Sequence, residues 1–323
     1  MRFLLLILIL ALTGCTTRVE LQGHRGARGL LPENTLPAFA KALDIGVDVL
    51  ELDTGVTKDG VVVIAHDAYL NPDFTRDKNG NWLESGVDKR VLLKSLTFSE
   101  TQAYDVGRIN PVSEYAKRFP QQRPVDGTRI PKLADLFAMV KELGDKRVRF
   151  NIETKLTPFA RRDTLEPEAF IDALLEAIKE AGMMDRVSIQ SFDWRTLKIA
   201  QQKAPMIPTV FLSAQQKFLD NIGAENREGS AWTAGLNAKE FAGSVPRMIK
   251  AAGGKIWSPY FGDLDATKVG AARVLGIRVI AWTVNNPKDI EKMLDLGVDG
   301  IISDYPDRVR AAMAKRAMAL PTN

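Results

Sequence analysis

Short β-rich apolar runs alternate along the chain with stretches whose apolar residues recur at helical spacing. Eight runs read as strands: Glu20–Gly23, Val47–Asp53, Arg147–Thr154, Arg186–Gln190, Ile207–Leu212, Lys255–Ser258, Arg278–Thr283 and Gly300–Ser303. The segments between them carry helix punctuation. Glu166–Ala181 is apolar at helical spacing and stops at Gly182, and Asp265 can cap a helix that ends at Gly276. Asn286 is an N-cap with Pro287 at the first helical position, and Gly297 ends that helix. Strand–helix alternation predicts a parallel sheet. Eight such units predict the α/β class and a closed (β/α)8 TIM barrel. An open doubly wound sheet is the weaker alternative, because no G-x-G-x-x-G follows the first strand.

The alternation is interrupted once. Residues 68–129 are rich in Pro, Gly, Asn and Asp, and hold one short helix announced by the capping box Thr97-Phe98-Ser99-Glu100. Leu92, Leu96 and Phe98 are residues of the buried type, so this stretch reads as an insertion over the top of the barrel, after the second strand region. The last helical pattern is Arg308–Ala319, with a solvated basic face at Arg310, Lys315 and Arg316. A single barrel domain over 19–316 follows.

The N-terminus has a different pattern. Phe3 to Leu12 is an unbroken apolar run behind Met1-Arg2. It is shorter than the roughly 20 residues a spanning helix needs and fits the apolar region of a secretory signal. Leu12-Thr13-Gly14-Cys15 resembles a bacterial lipobox. The resemblance implies removal of residues 1–14, lipidation of Cys15 and a short tether over 15–18. Thr16 and Thr17 after the cysteine point to the outer membrane, with the domain facing the periplasm. Several acyl chains on one site anchor a protein stably. Cys15 is the only cysteine, so no disulfide is available, which suits an oxidising compartment.

Composition narrows the partners. With 44 basic and 40 acidic residues the formal charge is +4, which tolerates an anionic substrate or a membrane surface. It does not argue for nucleic acid, and no basic-aromatic stripe is present. An apolar content of 45% excludes intrinsic disorder.

The chemistry-bearing residues gather at strand ends, where barrels of this class place their active sites. The chain has two histidines, and both follow apolar strands: His24 in His24-Arg25-Gly26 and His66 in His66-Asp67. Lys58-Asp59-Gly60 ahead of His66 reads as a hairpin turn. Glu51 and Asp53 stand two apart on one strand and project together. Glu153 and Lys155 repeat that spacing on the next. Adjacent carboxylates repel unless a cation lies between them. Three of them form a hard oxygen site for one divalent cation, Ca²⁺ or Mg²⁺, whereas zinc would favour His and Cys. A metal, two imidazoles and the cations Arg25 and Lys155 describe a phosphoryl site, with the imidazoles as base and acid. No GxxxxGK[ST] loop and no Gly-x-Ser-x-Gly elbow is present. The plainer alternative makes Glu153–Lys155 and Asp53–Lys58 surface ion pairs.

In order and spacing, His24-Arg25-Gly26, Pro32-Glu33-Asn34-Thr35, Glu51-Leu52-Asp53, Lys58-Asp59-Gly60, His66-Asp67, Glu153-Thr154-Lys155, Ser191-Phe192, Ala281-Trp282-Thr283-Val284 and Asp299 through Pro306 resemble the glycerophosphodiester phosphodiesterase family. The resemblance spans nearly all of the chain beyond residue 18. It implies a (β/α)8 barrel with an insertion after the His-Asp motif, and hydrolysis of a glycerophosphodiester to glycerol 3-phosphate and an alcohol. It makes His24 and His66 the acid/base pair and gives the divalent ion to Glu51, Asp53 and Glu153. Arg25 and Lys155 bind phosphate, Trp282 lines the pocket or packs in the core, Glu33 and Asn34 orient the residues around them, Thr35 caps a helix, and Phe192 packs at the barrel mouth. Thr54 and Lys132 depart from the family pattern. Two alternatives remain at this level: a lysophospholipase D-type enzyme acting on membrane lipid, and a non-catalytic binding lipoprotein.

Overall fold

Residue parity along the strands decides which face meets helices and which faces the barrel axis. In Val49–Val56 the fully buried Leu50 and Leu52 join the large apolar core, while Glu51 and Asp53 between them do not. In Arg149–Thr154, Phe150 and Ile152 are the core residues and Asn151 and Glu153 lie between. The computed structural model describes residues 18–160, 162–223 and 228–321. The expected signal segment 1–14, Cys15 and most of the expected tether lie outside the described residues.

In chain order the elements are β1 (Glu20–Gly23), α1 (Leu36–Ile45), β2 (Val49–Val56), β3 (Val62–Ile64), α2 (Phe98–Thr101), α3 (Glu114–Arg118), α4 (Leu133–Glu142), β4 (Arg149–Thr154), α5 (Pro167–Glu180), β5 (Val187–Ser191), α6 (Trp194–Lys203), β6 (Thr209–Ser213), β7 (Gln215–Gln216), β8 (Leu219–Asp220), α7 (Val245–Ala251), β9 (Ile256–Pro259), α8 (Ala266–Val274), β10 (Arg278–Ala281), α9 (Pro287–Leu296), β11 (Gly300–Ser303) and α10 (Pro306–Lys315). Parallel pairing runs β1-β2-β4-β5-β6-β9-β10-β11 and returns to β1, which closes the barrel. The expected (β/α)8 architecture is the one observed. Each of the eight expected strands is present, with bounds moved by at most three residues.

β3 is the antiparallel arm of the hairpin turned at Lys58-Asp59-Gly60, pairing with the end of β2. Helix caps form where the sequence places them: Thr35 on α1, Asp265 on α8, and Asn286 with Gly297 on α9. The final helix ends at Lys315, short of Ala319. The helices close over the sheet through one core, in which Phe137 meets Phe150 edge-to-face at 4.9 Å. Each fully buried Leu or Phe there contributes about 1.5–3 kcal/mol.

Residues 68–129 hold their own small apolar cluster, built on Val63, Leu70, Leu93, Val106 and Ile130. The Thr97–Glu100 capping box forms as the sequence indicates. Lys132 places its ammonium 4.4 Å from the Phe98 ring, and Thr54 donates to the Glu153 carbonyl at 2.8 Å.

Candidate active site

The first strand ends in a tight turn that only glycine allows. At Gly26 (φ 84°) a Cβ would stand 2.6 Å from the backbone of Ala38. Arg25 before it also has left-handed backbone, φ 50°, at a cost of about 1–2 kcal/mol. That conformation aims its amide at Glu51, 3.0 Å from Oε2. Its guanidinium runs between two carboxylates, Nη1 donating to Glu33 at 2.6 Å and Nε lying 3.0 Å from Asp53. Asn34 (φ 55°) donates to the same Asp53 oxygen at 2.9 Å. Glu33 and Asn34 therefore orient Arg25 and Asp53, and Thr35 behind them caps α1.

Glu51, Asp53 and Glu153 come together as expected, with ligand oxygens within 4.8 Å of one another and all three residues buried. Glu153 pairs with Lys155 at 2.9 Å. Lys155 also lies 3.7 Å from Asp53 Oδ1, an oxygen that is buried and has no hydrogen-bond donor. Burial, then repulsion from Asp53 and Glu153, holds the Glu51 carboxyl well above the usual range. Glu153 is pushed up to about 7, first by burial and then by Asp53, against the pull of Lys155. Burial would raise Asp53 too, but Arg25, His66 and Lys155 outweigh it and keep this carboxyl well below the ordinary range. An all-oxygen donor set with a donor-less buried oxygen fits a hard divalent ion. The Asp53–Lys58 surface pair does not form; Asp53 is 1% exposed and faces the site.

His24 is held by Asp304, its Nδ1 2.6 Å from Oδ1. Burial alone would raise the Asp304 carboxyl, but Arg28 and His24 outweigh it and keep the group far below the carboxylate range. An ionised carboxylate only accepts, so Nδ1 carries the proton and Nε2 is bare. Nε2 lies 3.8 Å from Glu51. Burial, then the charge of Arg28, pushes the imidazole down to about 3. His66 places Nδ1 3.1 Å from Asp67, itself braced by Asn71 at 2.7 Å. Burial, then Arg25 and Lys155, lowers its pKa as well. Two neutral imidazoles thus line the site, each with its tautomer fixed by an aspartate.

His24, Arg25, Glu51, His66, Glu153, Lys155 and Asp304 line one cavity of about 900 Å³ at the C-terminal end of the barrel strands, and Asp53 lies against its Arg25 and Lys155. Trp282 belongs to its wall and not to the core: it is half-buried, donates to the Ser258 carbonyl at 2.9 Å, and meets Phe192 edge-to-face at 5.3 Å. Residues 68–129 supply another wall, and Tyr115 from α3 hydrogen-bonds the Glu33 carboxylate.

The profile of the glycerophosphoryl diester phosphodiesterase family matches residues 24–308, from His24 into the first turn of the last barrel helix. The chain belongs to this family. A glycerophosphodiester phosphodiesterase of Caldanaerobacter subterraneus subsp. tengcongensis is 28% identical over 286 residues, 88% of this chain and 93% of that protein. A Silicibacter pomeroyi protein, provisionally named glycerophosphoryl diester phosphodiesterase, has a crystal structure of TM-score 0.82 at 34% identity, over 94% of this chain and 96% of that one. A phosphodiesterase of Oleispira antarctica, solved with sn-glycerol-3-phosphate as product, shares the fold at TM-score 0.65 and 23% identity, over 92% and 97%. By its family the protein is an enzyme of the glycerophosphodiester phosphodiesterase class.

Two site residues of this family member escaped the sequence reading. Gln190, 1% exposed, donates to Glu51 Oε1 at 2.5 Å. It heads a polar column down the barrel axis: Asn151 donates to Gln190 at 2.8 Å and to Gln22 at 3.1 Å, and Gln22 donates to Glu20 at 2.6 Å. Arg149 and Arg278 close the column on Glu20. Every member has a partner, which is what a buried polar column requires. The second residue is Asp304, which binds His24, Arg28 and Asn285 together. The signal for both was parity: each continues the barrel-facing positions of its strand.

Asp304→Asn keeps the shape but lets an amide offer N–H to His24, which favours the wrong tautomer. We expect kcat to fall by about 10²-fold or more with the affinity for divalent ion little changed, and the melting temperature to fall as well, because the buried Arg28 loses its counter-charge. A kcat within three-fold of the parent would remove Asp304 from this role.

Proposed function

We propose that the protein is a divalent-ion-dependent phosphodiesterase that cleaves soluble glycerophosphodiesters to glycerol 3-phosphate and an alcohol. The observation that carries this is one cavity lined by Glu51, Glu153, two neutral imidazoles and the cations Arg25 and Lys155, with the buried Asp53 completing the carboxylate cluster. Glu51, Asp53 and Glu153 would hold the ion, Ca²⁺ or Mg²⁺. When bound, it offsets charge on the phosphate oxygens. Arg25 and Lys155 orient and partly neutralise the same phosphate. One imidazole takes a proton from the attacking oxygen, which belongs to water or to the substrate's own glycerol 2-hydroxyl (the cyclic phosphate then formed being opened by water); the other imidazole, protonated once the anionic substrate is bound, gives a proton to the departing alcohol. The product bound to the Oleispira antarctica phosphodiesterase agrees with the proposed product. The catalytic unit is residues 19–316, with 68–129 as an insertion that shapes the cavity.

The proposal extends to export, with a lipid on Cys15 and the barrel held at the outer membrane on its periplasmic face. The lipobox-like sequence supports it. Four residues separate Cys15 from Glu20, and the five Cα steps reach at most about 18 Å. Glu20 opens β1 and His24 follows its other end, so the tether would leave the barrel on the side away from the cavity. That placement favours soluble diesters. The lysophospholipase D-type reading draws on one observation, the exposed rings Phe159 and Phe218 on loops at the cavity end.

Coupled detection of glycerol 3-phosphate from glycerophosphocholine, set against choline release from a lysophosphatidylcholine, separates the two. We expect the soluble diester to be favoured in kcat/KM by about ten-fold or more. A reversed preference would install the lipid reading. For the anchor, Cys15→Ala should move the protein from the membrane pellet to the soluble fraction; an unchanged pellet fraction would exclude lipid at Cys15.

A further inference from the structure

The cavity is lined unevenly. Its basic side chains are Arg25, Arg28, Arg90, Arg118 and Lys155, all from the first half of the chain. Among the described lining residues from Gln190 to Asp304 there is no Lys or Arg, and the one carboxylate, Asp304, is already engaged by His24, Arg28 and Asn285. That half carries a run of aromatic rings in mutual contact. Phe192 meets Trp282 at 5.3 Å and 86°, Trp282 meets Tyr260 at 5.5 Å and 65°, and Tyr260 meets Phe218 at 5.2 Å and 78°.

Rings set nearly at right angles form a corner that several aromatic faces and edges border. This corner is not core packing: Phe218 is 65% exposed and Tyr260 and Trp282 are half-buried. It also adjoins the phosphate side of the cavity, because the Lys155 ammonium lies 6.0 Å from the Phe192 ring.

Resting on the phosphodiesterase function proposed above, we infer that this corner is the subsite of the leaving alcohol and selects one bearing a trimethylammonium group. A quaternary ammonium is attracted by ring faces and has no N–H to satisfy. A primary ammonium carries three donors and meets no uncommitted carboxylate among the described residues that line this half, so its desolvation is poorly compensated. A diester with an anionic phosphate and a cationic, fully methylated alcohol matches a cavity whose cations all come from one half of the chain and whose four touching rings come from the other.

The test compares kcat/KM of the ion-loaded, full-length protein on three diesters of glycerol 3-phosphate: those of choline, of ethanolamine, and of 3,3-dimethylbutanol, the neutral isostere of choline. The choline ester should exceed both others by about ten-fold. Phe218→Leu and Tyr260→Leu should each shrink the choline-to-isostere ratio by about three- to ten-fold. Phe218 is exposed enough that its replacement leaves the fold intact, so a ratio unchanged in that variant overturns the subsite. Equal turnover of choline ester and isostere overturns recognition of the charge. Glycerol 3-phosphate from all three esters at one efficiency overturns the subsite alone, whereas no release from any of them overturns the phosphodiesterase function as well.

Discussion

His24→Ala and His66→Ala should each lower kcat on glycerophosphocholine by about 10²- to 10⁴-fold. Both imidazoles line the cavity in the neutral form, and among its described residues they are the groups suited to take and return a proton near neutral pH. Lys155 is charged and paired with Glu153, and the raised carboxyls of Glu51 and Glu153 are the candidate ion ligands. Since the two histidines serve successive halves of one transfer, the double variant should cost little more than the worse single one. Melting temperatures near that of the parent would assign the loss to chemistry. Full activity in either variant would show that the proton passes elsewhere.

Removing the divalent ion should have an equally large effect. EDTA should abolish turnover, and Ca²⁺ or Mg²⁺ should restore it. At a hundred times Kd, the ion stabilises the fold by about 2.7 kcal/mol, which raises the melting midpoint of a chain this size by about 5 °C. Asp53→Asn should erase both the restoration and the shift. The carboxyls of Glu51 and Glu153 sit above their usual range, Glu153 at about 7. The ion-free site therefore holds protons that the ion must displace. Affinity should be greatest above pH 7 and weaken by about ten-fold per displaced proton for each pH unit below it. Calorimetric titrations at pH 6 and pH 8 read this directly. Affinity that did not change with pH would show that the ion binds without these carboxyls.

Much of the site was legible because barrel strands alternate strictly. Glu51 and Asp53 share a face by spacing alone, and the exits of β1 and β3 carry the two histidines. Gln190 and Asp304 were harder. Gln190 bears no charge and sits among residues of ordinary strand character; only its register opposite Glu153 places it beside Glu51. Asp304 follows β11, some 280 positions from the His24 that it orients, and a contact of that separation exists only once the barrel closes. Tyr115 reaches Glu33 because 68–129 folds back onto the β1–α1 turn, and no local pattern encodes that return. The aromatic corner is likewise assembled from four separate loops.

The most direct measurement is release of glycerol 3-phosphate from glycerophosphocholine by the EDTA-treated protein, before and after Ca²⁺ or Mg²⁺ is restored. The carboxylate triad and the paired histidines predict no release without the ion and full release with it, lost again in Asp53→Asn. Undiminished release in EDTA would contradict a catalytic ion at Glu51, Asp53 and Glu153. A folded, ion-loaded protein that releases nothing would contradict hydrolysis of this diester altogether.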